Sequence, residues 1–398
     1  MLIRESYLKD IRPFYSSDLI KAMVGVRRAG KSVLLSQIRD EIRTQGHLHM
    51  FYVNLEDYQY HRFWNDPEKF HELVRSKALE KQERCYIFLD EIQHVQDYWN
   101  VLASLKATTN SSIFVTGSSS SLLNSTLSTH LTGRVKSFRI FPFSFMEASS
   151  YTDGKMTLDD YLVNGGIPLR FSLPENEGNA VIEDTFNSIL EKDILPKINQ
   201  TYRNTFLNFA RFAIAQSGSL VSTRSLAGYI SFYDQKISRQ TLYSYLEKLV
   251  DSYLLTKVDR FSLVGKKTLN YIQKYYATDP AFITISKGGQ QNEGIGGNLE
   301  SVVFNELLKR GYNVFVGKAP KGEVDFVVTD GQKRCYIQVA AYMETEETRE
   351  REFGAYKALT DNYPKFVISM DRDDFSRDGI IHINAQDFLL RKKDLVFF

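Results

Sequence analysis

The sequence predicts an α/β protein that begins with a parallel β-sheet flanked by helices. Its 398 residues are too many for one ordinary hydrophobic core, so further domains are expected after this sheet. A short apolar strand at Leu19–Val24 runs directly into a glycine-containing loop and then into a helix. Apolar strands and amphipathic helices continue to alternate as far as Ile140, which is the order that builds a parallel sheet with helices on its faces.

The glycine-containing loop is Gly25-Val26-Arg27-Arg28-Ala29-Gly30-Lys31-Ser32, which fits the pattern G-x-x-x-x-G-K-[ST]. Its glycines let backbone N–H groups face a phosphate chain, and the following helix adds the positive end of its dipole. Lys31 is expected to reach the β- and γ-phosphates, and the Ser32 hydroxyl to join the shell of a Mg²⁺ ion. The helix is expected to bury the apolar residues Val33, Leu34, Leu35, Ile38 and Ile42. We therefore expect residues 25–33 to bind ATP together with Mg²⁺.

A second motif lies where the strand predicted at Cys85–Glu91 ends in two carboxylates. Behind a phosphate-binding loop, this pair indicates an Asp90 that holds Mg²⁺ and a Glu91 that polarises the attacking water. The next buried strand, Ser112–Thr116, ends in a serine-rich turn. Thr116 and Ser118 are therefore candidates to sense the γ-phosphate, although a serine-rich turn also serves simply as a helix cap.

An arginine, Arg134, precedes the strand predicted at Val135–Ile140. We consider it a candidate finger, which would contact the nucleotide of a neighbouring subunit and stabilise the charge of the reaction there. The alternative is an arginine that makes a surface contact or a salt bridge.

These residues together carry a family resemblance. The phosphate loop, Leu89-Asp90-Glu91-Ile92-Gln93, Thr116-Gly117-Ser118-Ser119 and Pro142-Phe143-Ser144-Phe145-Met146-Glu147 resemble the prokaryotic AAA+-type ATPases of the archaeal-ATPase-like group. The stretch Tyr161-Leu162-Val163-Asn164-Gly165-Gly166-Ile167-Pro168 resembles the motif at which their core passes into a helical lid. The resemblance covers essentially the whole chain, and it implies an ATPase core followed by a C-terminal domain of unknown function.

Four segments are expected: an ATPase core at 1–150, a helical lid or connector at 151–218, a winged helix-like domain at 219–285 and a nuclease-like domain at 286–398. In the third segment, Ser222-Thr223 caps a helix through Ile230, and a second helix begins at Ser238. Strands at Leu254–Val258 and Tyr275–Ala277 resemble the wing of a winged helix-turn-helix. The second helix carries side chains of the kind that contact phosphates and bases, namely Arg239, Gln240, Thr241, Ser244 and Lys248. Because this helix is not strongly basic, a protein partner is the alternative to DNA.

The last segment, after the glycine-rich linker or mobile loop at 286–298, resembles the PD-(D/E)xK nuclease fold. In that fold a helix acid, a strand Asp and an acid-x-Lys pair bind Mg²⁺ and activate water. Glu300 and Asp325 fit the first two positions, but Gln338-Val339-Ala340 stands where acid-x-Lys is expected. The spacing of Lys318 and Lys321 does not require either to replace the lysine. We therefore expect a nuclease-like fold without catalysis, in which Glu323 and Asp325 serve folding or partner binding.

The net charge and the cysteine content of the chain limit which partners and metal sites are expected. The formal net charge of +2 indicates that any nucleic-acid binding depends on a local basic face. Neither of the two cysteines, Cys85 and Cys335, has metal-ligand spacing, and we expect a cytoplasmic location without a membrane segment. The leading hypothesis is an ATPase that couples nucleotide state to DNA or protein binding, with a second copy of the chain as a further candidate partner. The alternatives are a module that holds ATP with little turnover and an ATP-gated nuclease.

Overall fold

The chain forms two compact units, Met1–Pro142 with Asp251–Tyr253 and Phe143–Val250 with Leu254–Phe398. The computed structural model describes residues 2–118, 133–221, 237–265, 267–288, 295–319 and 322–397. Each unit has its own β-sheet. No helix within these ranges is both long enough and apolar enough to cross a membrane.

The first unit is built on a parallel sheet. Its strands are β1 (Ile20–Val24), β2 (Met50–Asn54), β3 (Cys85–Asp90), β4 (Ser111–Gly117) and β5 (Val135–Arg139). Its helices are α1 (Glu5–Ile11), α2 (Lys31–Thr44), α3 (Pro67–Ala78) and α4 (Tyr98–Thr108). The strands pair in parallel in the order β2-β3-β4-β1-β5, so the predicted fold class of this unit is confirmed.

The central strands bring their carboxyl ends together at one edge of the sheet. Every residue of β1, β3 and β4 is buried, as expected for a parallel sheet that helices cover on both faces. Strand β4 lies between β1 and β3, with Val24 opposite Gly117 and Leu89 opposite Val115. The loop after β1 and the acids at the end of β3 are therefore neighbours across the end of β4.

Helix α2 begins at Lys31, directly after Gly30, whose φ of 91° a glycine adopts without strain. Its buried apolar face consists of Leu34, Leu35, Ile38 and Ile42, as predicted. Val33 does not belong to this face, because a turn of about 100° per residue points it away from Leu34 and its partners. Its side chain is 39% exposed, which corrects the prediction that it is buried.

The second unit carries a mixed sheet. Its helices are α5 (Phe145–Tyr151), α6 (Leu158–Asn164), α7 (Glu175–Ser188), α8 (Arg203–Ala215), α9 (Arg239–Asp251), α10 (Pro280–Ser286), α11 (Ile295–Lys309), α12 (Glu346–Gly354) and α13 (Ala385–Leu389). Its strands are β6 (Leu220–Val221), β7 (Leu255–Ser262), β8 (Lys267–Ala277), β9 (Asn313–Lys318), β10 (Glu323–Asp330), β11 (Lys333–Val339), β12 (Lys365–Ser369) and β13 (Ile380–Asn384). Their order in the sheet is β13-β12-β11-β10-β9-β7-β8-β6.

The strand pairing in this sheet differs from the pairing expected of two separate domains. Strands β9, β10 and β11 form an antiparallel meander, and β12 and β13 continue it in parallel from β11. Strands β7 and β8 pair as the hairpin expected for a wing, but β7 also pairs in parallel with β9, with Arg260 opposite Val316. The sheet therefore continues across residue 286, where the sequence predicted a boundary.

The stretch 286–298, expected as a linker, is partly helical. Helix α10 ends at Ser286 and α11 begins at Ile295, while residues 289–294 lie outside the described ranges. The Asn298 amide donates to the Leu162 carbonyl at 2.8 Å and to the Thr284 hydroxyl at 3.3 Å. These contacts fix the first turn of α11, so Ile295–Asn298 is part of the helix despite its glycines.

The glycine pair of the predicted lid motif packs against a buried acid. The Gly166 N–H donates to Asp279 Oδ2 at 2.9 Å, and a Cβ atom on Gly165 (φ 69°) would lie 1.7 Å from Asp279 Oδ1. Only a residue without a side chain fits at position 165. Packing against Asp279 therefore explains why a glycine stands at position 165 of the motif.

Candidate nucleotide-binding site

The loop from Gly25 to Ser32 joins β1 to α2 at the carboxyl edge of the parallel sheet. Gly25, Arg28 and Gly30 have positive φ angles of 153°, 63° and 91°. Left-handed turns of this kind aim successive backbone N–H groups into one concave, anion-binding surface. The side chains of this loop differ in exposure: Val26 and Ala29 are buried and Arg28 is exposed. Arg27 forms a 2.6 Å ion pair with Glu56.

The Lys31 side chain lies inside this loop. Its ammonium donates to the carbonyl oxygens of Gly25 and Val26, both at 3.1 Å, and only 3% of its surface is exposed. The same Nζ atom is 3.9 Å from Glu91 Oε1. The loop and the acid pair at the end of β3, which are distant in sequence, therefore meet through this lysine.

The Asp90 carboxylate is the meeting point of three elements. Its Oδ1 atom accepts from the Ser32 hydroxyl at 3.1 Å and from the Thr116 hydroxyl, and its Oδ2 atom accepts from Tyr52 at 3.3 Å. Burial raises the pKa of Asp90, while the hydrogen bonds from Thr116 and Ser32 lower it. Hydroxyl and carboxylate oxygens suit Mg²⁺, so Ser32 and Asp90 fit the predicted metal position. An ion held there by Ser32 and Asp90 would supply positive charge to offset that of a bound phosphate chain.

The Glu91 carboxylate is held by a second set of contacts. Its backbone is left-handed, with φ 54°, and its N–H donates to the Thr116 hydroxyl at 2.9 Å. The Gln93 amide donates to Glu91 Oε2 at 2.5 Å and to the Ser118 hydroxyl at 3.3 Å. Thr116 thus touches both acids directly, and Ser118 is linked to Glu91 through Gln93.

The predicted nuclease positions come together around β10. Asp325 accepts the Val339 N–H at 2.9 Å. The side chain of Gln338 is hydrogen-bonded at both its oxygen and its nitrogen. Its oxygen accepts the Asp325 N–H at 3.2 Å, and its nitrogen donates to Glu352 Oε2 at 2.9 Å. Ala340 is buried, and Lys321 lies outside the described part of the chain. Gln338 and Ala340 therefore supply neither an acid nor a lysine.

Helix α9 presents part of the predicted nucleic-acid set to solvent. The Ser238 hydroxyl caps it by accepting the Thr241 N–H at 3.1 Å. Arg239, Gln240 and Ser244 are exposed, whereas Thr241 and Lys248 are half-buried. The first helix predicted for the helix-turn-helix, from Ser222 to Ile230, lies outside the described residues.

Two known proteins are similar to this chain over most of its length. A protein of Haemophilus influenzae is 31% identical over 401 residues, which is 98% of this chain and 99% of that protein. A protein of Methanocaldococcus jannaschii, MJ1544, is 30% identical over 380 residues, or 89% of this chain and 81% of that protein. The family model described as "AAA domain" matches residues 17–149. The chain belongs to this family of prokaryotic AAA+-type ATPases. Models of two domains of unknown function, DUF8612 and DUF4143, match residues 155–291 and 295–388.

Solved structures give a looser likeness to this AAA+-type chain. Cdc6p from Pyrobaculum aerophilum is 10% identical, with a TM-score of 0.30 over 75% of this chain and 93% of that one. AMPPCP-bound DnaA from Aquifex aeolicus is 12% identical, with a TM-score of 0.29 over 53% of this chain and 69% of that one.

In this AAA+-type ATPase, Arg134 lies away from the chain's own nucleotide loop. Val135 pairs with Ile20, the first residue of β1, and the Arg134 carbonyl accepts the Ile20 N–H at 2.8 Å. The loop follows Val24 at the other end of that strand, roughly 13 Å away at the rise of an extended chain. The structure thus does not bring the exposed Arg134 to the acids and Lys31, and a finger role would have to act on a neighbouring subunit.

Three residues of this AAA+ site were not predicted from the sequence. Gln93 and Tyr52 contact the two acids, and Arg4 donates to the Ala29 carbonyl at 2.9 Å and to the Phe141 carbonyl at 2.9 Å. Gln93 could have been predicted as a contact of Glu91, because it lies only two residues after it in the sequence. No spacing signal connects Arg4 to a loop so far along the chain.

Proposed function

We propose that this AAA+-type ATPase binds ATP with Mg²⁺ at the loop between β1 and α2 and hydrolyses it with Glu91 as the base. The observation that carries the proposal is the pair of contacts made by the loop: the exposed Ser32 hydroxyl donates to the buried Asp90, and the buried Lys31 lies beside the buried Glu91. A protein that only held the nucleotide would need the first contact but not a second carboxylate beside the lysine. The pair therefore favours hydrolysis over storage.

The chain's own residues divide the chemical work. Lys31, held on the loop carbonyls, is within reach of phosphate oxygens that the same loop would bind, and it offsets the charge that develops on them. Glu91 accepts the proton of the attacking water as the new bond to the γ-phosphorus forms and the bridging oxygen leaves. Gln93 and Thr116 keep the Glu91 carboxylate and backbone in position.

Phosphate release by the purified protein tests this proposal. We expect Mg²⁺-dependent ATP hydrolysis by the wild type and a loss on the order of 100-fold in Lys31→Ala, because charge stabilisation at the phosphates is removed. Lys77→Ala is the matched control, since Lys77 lies on the surface of α3 and pairs with Glu80. A wild-type rate no higher than that of Lys31→Ala would favour a module that holds ATP without turning it over.

We further propose that nucleotide state is coupled to DNA binding through the exposed side of α9. The support is the set Arg239, Gln240 and Ser244, which is exposed along this helix. Glu247 is also exposed there, so few phosphates are neutralised. Binding should be weak and salt-sensitive, with log K falling by about 0.9 per unit of log salt for each phosphate contact.

A duplex titration at low salt, carried out with ATP and again with ADP, tests the coupling. We expect Arg239→Ala with Lys248→Ala to weaken binding and to flatten the salt dependence. The control removes the same charge from the exposed pair Lys392 and Lys393 and should change neither. If the wild type binds no duplex, the helix has a protein partner instead.

A further inference from the structure

A buried lysine lies among the acids of the predicted nuclease site. Lys274 on β8 places its Nζ atom 2.5 Å from Glu323 Oε1, 3.2 Å from Glu300 Oε1 and 4.0 Å from Asp325 Oδ1. The three carboxylates come from α11 and β10, so a third element supplies the cation. Only 5% of Lys274 is exposed.

Other donors take up the neighbouring oxygens of the same cluster. Tyr276 donates to Glu300 Oε1 at 2.7 Å, and Arg260 donates to Glu323 Oε2 at 3.1 Å. The Val339 N–H occupies Asp325 Oδ2. The carboxyl oxygens of the cluster thus have donors from within the chain, and Lys274 and Arg260 supply two positive charges for its three carboxyl groups.

The charges indicate that the lysine is an ammonium here. Burial lowers the pKa of Lys274, but the charges of Glu300, Asp325 and Glu323 outweigh this and raise it above its ordinary value. A buried carboxylate group without a cation would be strongly destabilising, so removal of the lysine leaves charges that need another partner.

A divalent ion would need the same space. Mg²⁺ binds carboxylate oxygens at about 2.0–2.1 Å, which would bring it close to an ammonium already 2.5 Å from one of them. Repulsion between two cations at such a distance in a buried site is large. The residues therefore do not fit the metal that a PD-(D/E)xK fold implies.

We propose that the Lys274 ammonium replaces the divalent cation in this acid cluster, so that the site is a permanently closed ion-pair cluster. It binds no Mg²⁺ and cleaves no phosphodiester. Loss of the lysine, rather than restoration of an acid at position 338, is what would open the site to metal. This inference does not depend on the nucleotide site.

Metal-dependent thermal unfolding of the nucleotide-free full chain tests the proposal, with Mn²⁺ as the probe. We expect Mn²⁺ to leave the wild type unchanged and to raise the melting temperature of Lys274→Gln by about 5–10 °C at a hundredfold excess over its dissociation constant. The gain should disappear in Lys274→Gln with Asp325→Asn, and Lys274→Arg should behave as the wild type. Lys21→Met is the matched control, because Lys21 is equally buried but donates to the Ser112 hydroxyl rather than to an acid.

Two outcomes would overturn the proposal. One is Mn²⁺ binding or DNA nicking by the wild type that is lost in Asp325→Ala. The other is a folded Lys274→Gln that gains nothing from Mn²⁺. If Lys274→Gln does not fold without metal, Lys274→Gln with Glu323→Gln has one charge fewer to compensate and should fold. Failure of that double variant as well would show that charge compensation is not the role of Lys274.

Discussion

Glu91→Gln is expected to slow ATP hydrolysis by about 100-fold or more while nucleotide affinity stays close to that of the wild type. The amide keeps the shape of the side chain and an oxygen for the Gln93 contact, but it cannot take a proton from water. The variant loses the 3.9 Å ion pair of Glu91 with Lys31, but the loop carbonyls still hold Lys31 and the Asp90 contact with Ser32 is unchanged, so binding should persist. Steady-state phosphate release and equilibrium titration with a fluorescent ATP analogue measure the two quantities separately.

A surface carboxylate gives the control for this variant. Glu80→Gln removes an exposed carboxylate that pairs with Lys77 at 2.5 Å, and both rate and affinity should be unchanged. Hydrolysis by Glu91→Gln at the wild-type rate would mean that Glu91 is not the base.

Gly25→Ala is expected to disable the nucleotide loop by steric overlap. A Cβ atom at this position would lie 2.1 Å from the Ile140 carbonyl oxygen, which is backbone and cannot rotate away. The φ of 153° adds strain for any residue with a side chain. We expect a loss of stability of about 3 kcal/mol, at the upper end for point changes, and at least a tenfold loss of ATP affinity. Thermal unfolding and nucleotide titration measure the two effects.

Gly46→Ala separates the steric cost from the conformational one. Gly46 has a φ of 92°, but nothing lies within 4 Å of the position of a new Cβ atom. This variant should cost about 1 kcal/mol and leave ATP affinity unchanged. Equal effects of the two variants would contradict the contact with Ile140 as the cause.

The residues of the candidate nucleotide site can be found in the sequence because they follow fixed spacings within single elements. Lys31 and Ser32 begin α2, and Asp90 ends β3, where a parallel sheet brings strand ends together. The role of Arg134 stays a prediction: it precedes β5 at the amino edge, away from the loop of its own chain, and a finger contact would involve a neighbouring subunit. Val33 shows a limit of this reasoning, since membership of an apolar run does not fix which side of a helix a residue occupies.

The second unit was harder to predict because its important contacts join distant segments. The parallel pairing of β7 with β9 depends on tertiary packing, and no periodicity in either strand predicts it. Lys274 approaches the acids from β8, of which only the end at Tyr275–Ala277 is predicted as part of a wing, whereas the lysines that the sequence suggests are Lys318 and Lys321. The missing acid-x-Lys was visible in the sequence, but the cation that replaces the metal was not.

The identity of the bound nucleotide after incubation with Mg²⁺ and ATP tests the central claim most directly. Wild-type protein and Glu91→Gln would be freed of unbound nucleotide, denatured and analysed by ion-exchange chromatography. The account predicts ADP on the wild type, ATP on Glu91→Gln and little of either on Lys31→Ala, because Lys31 serves binding and Glu91 serves hydrolysis. Intact ATP on the wild type, or ADP on Glu91→Gln at the wild-type rate, would contradict it.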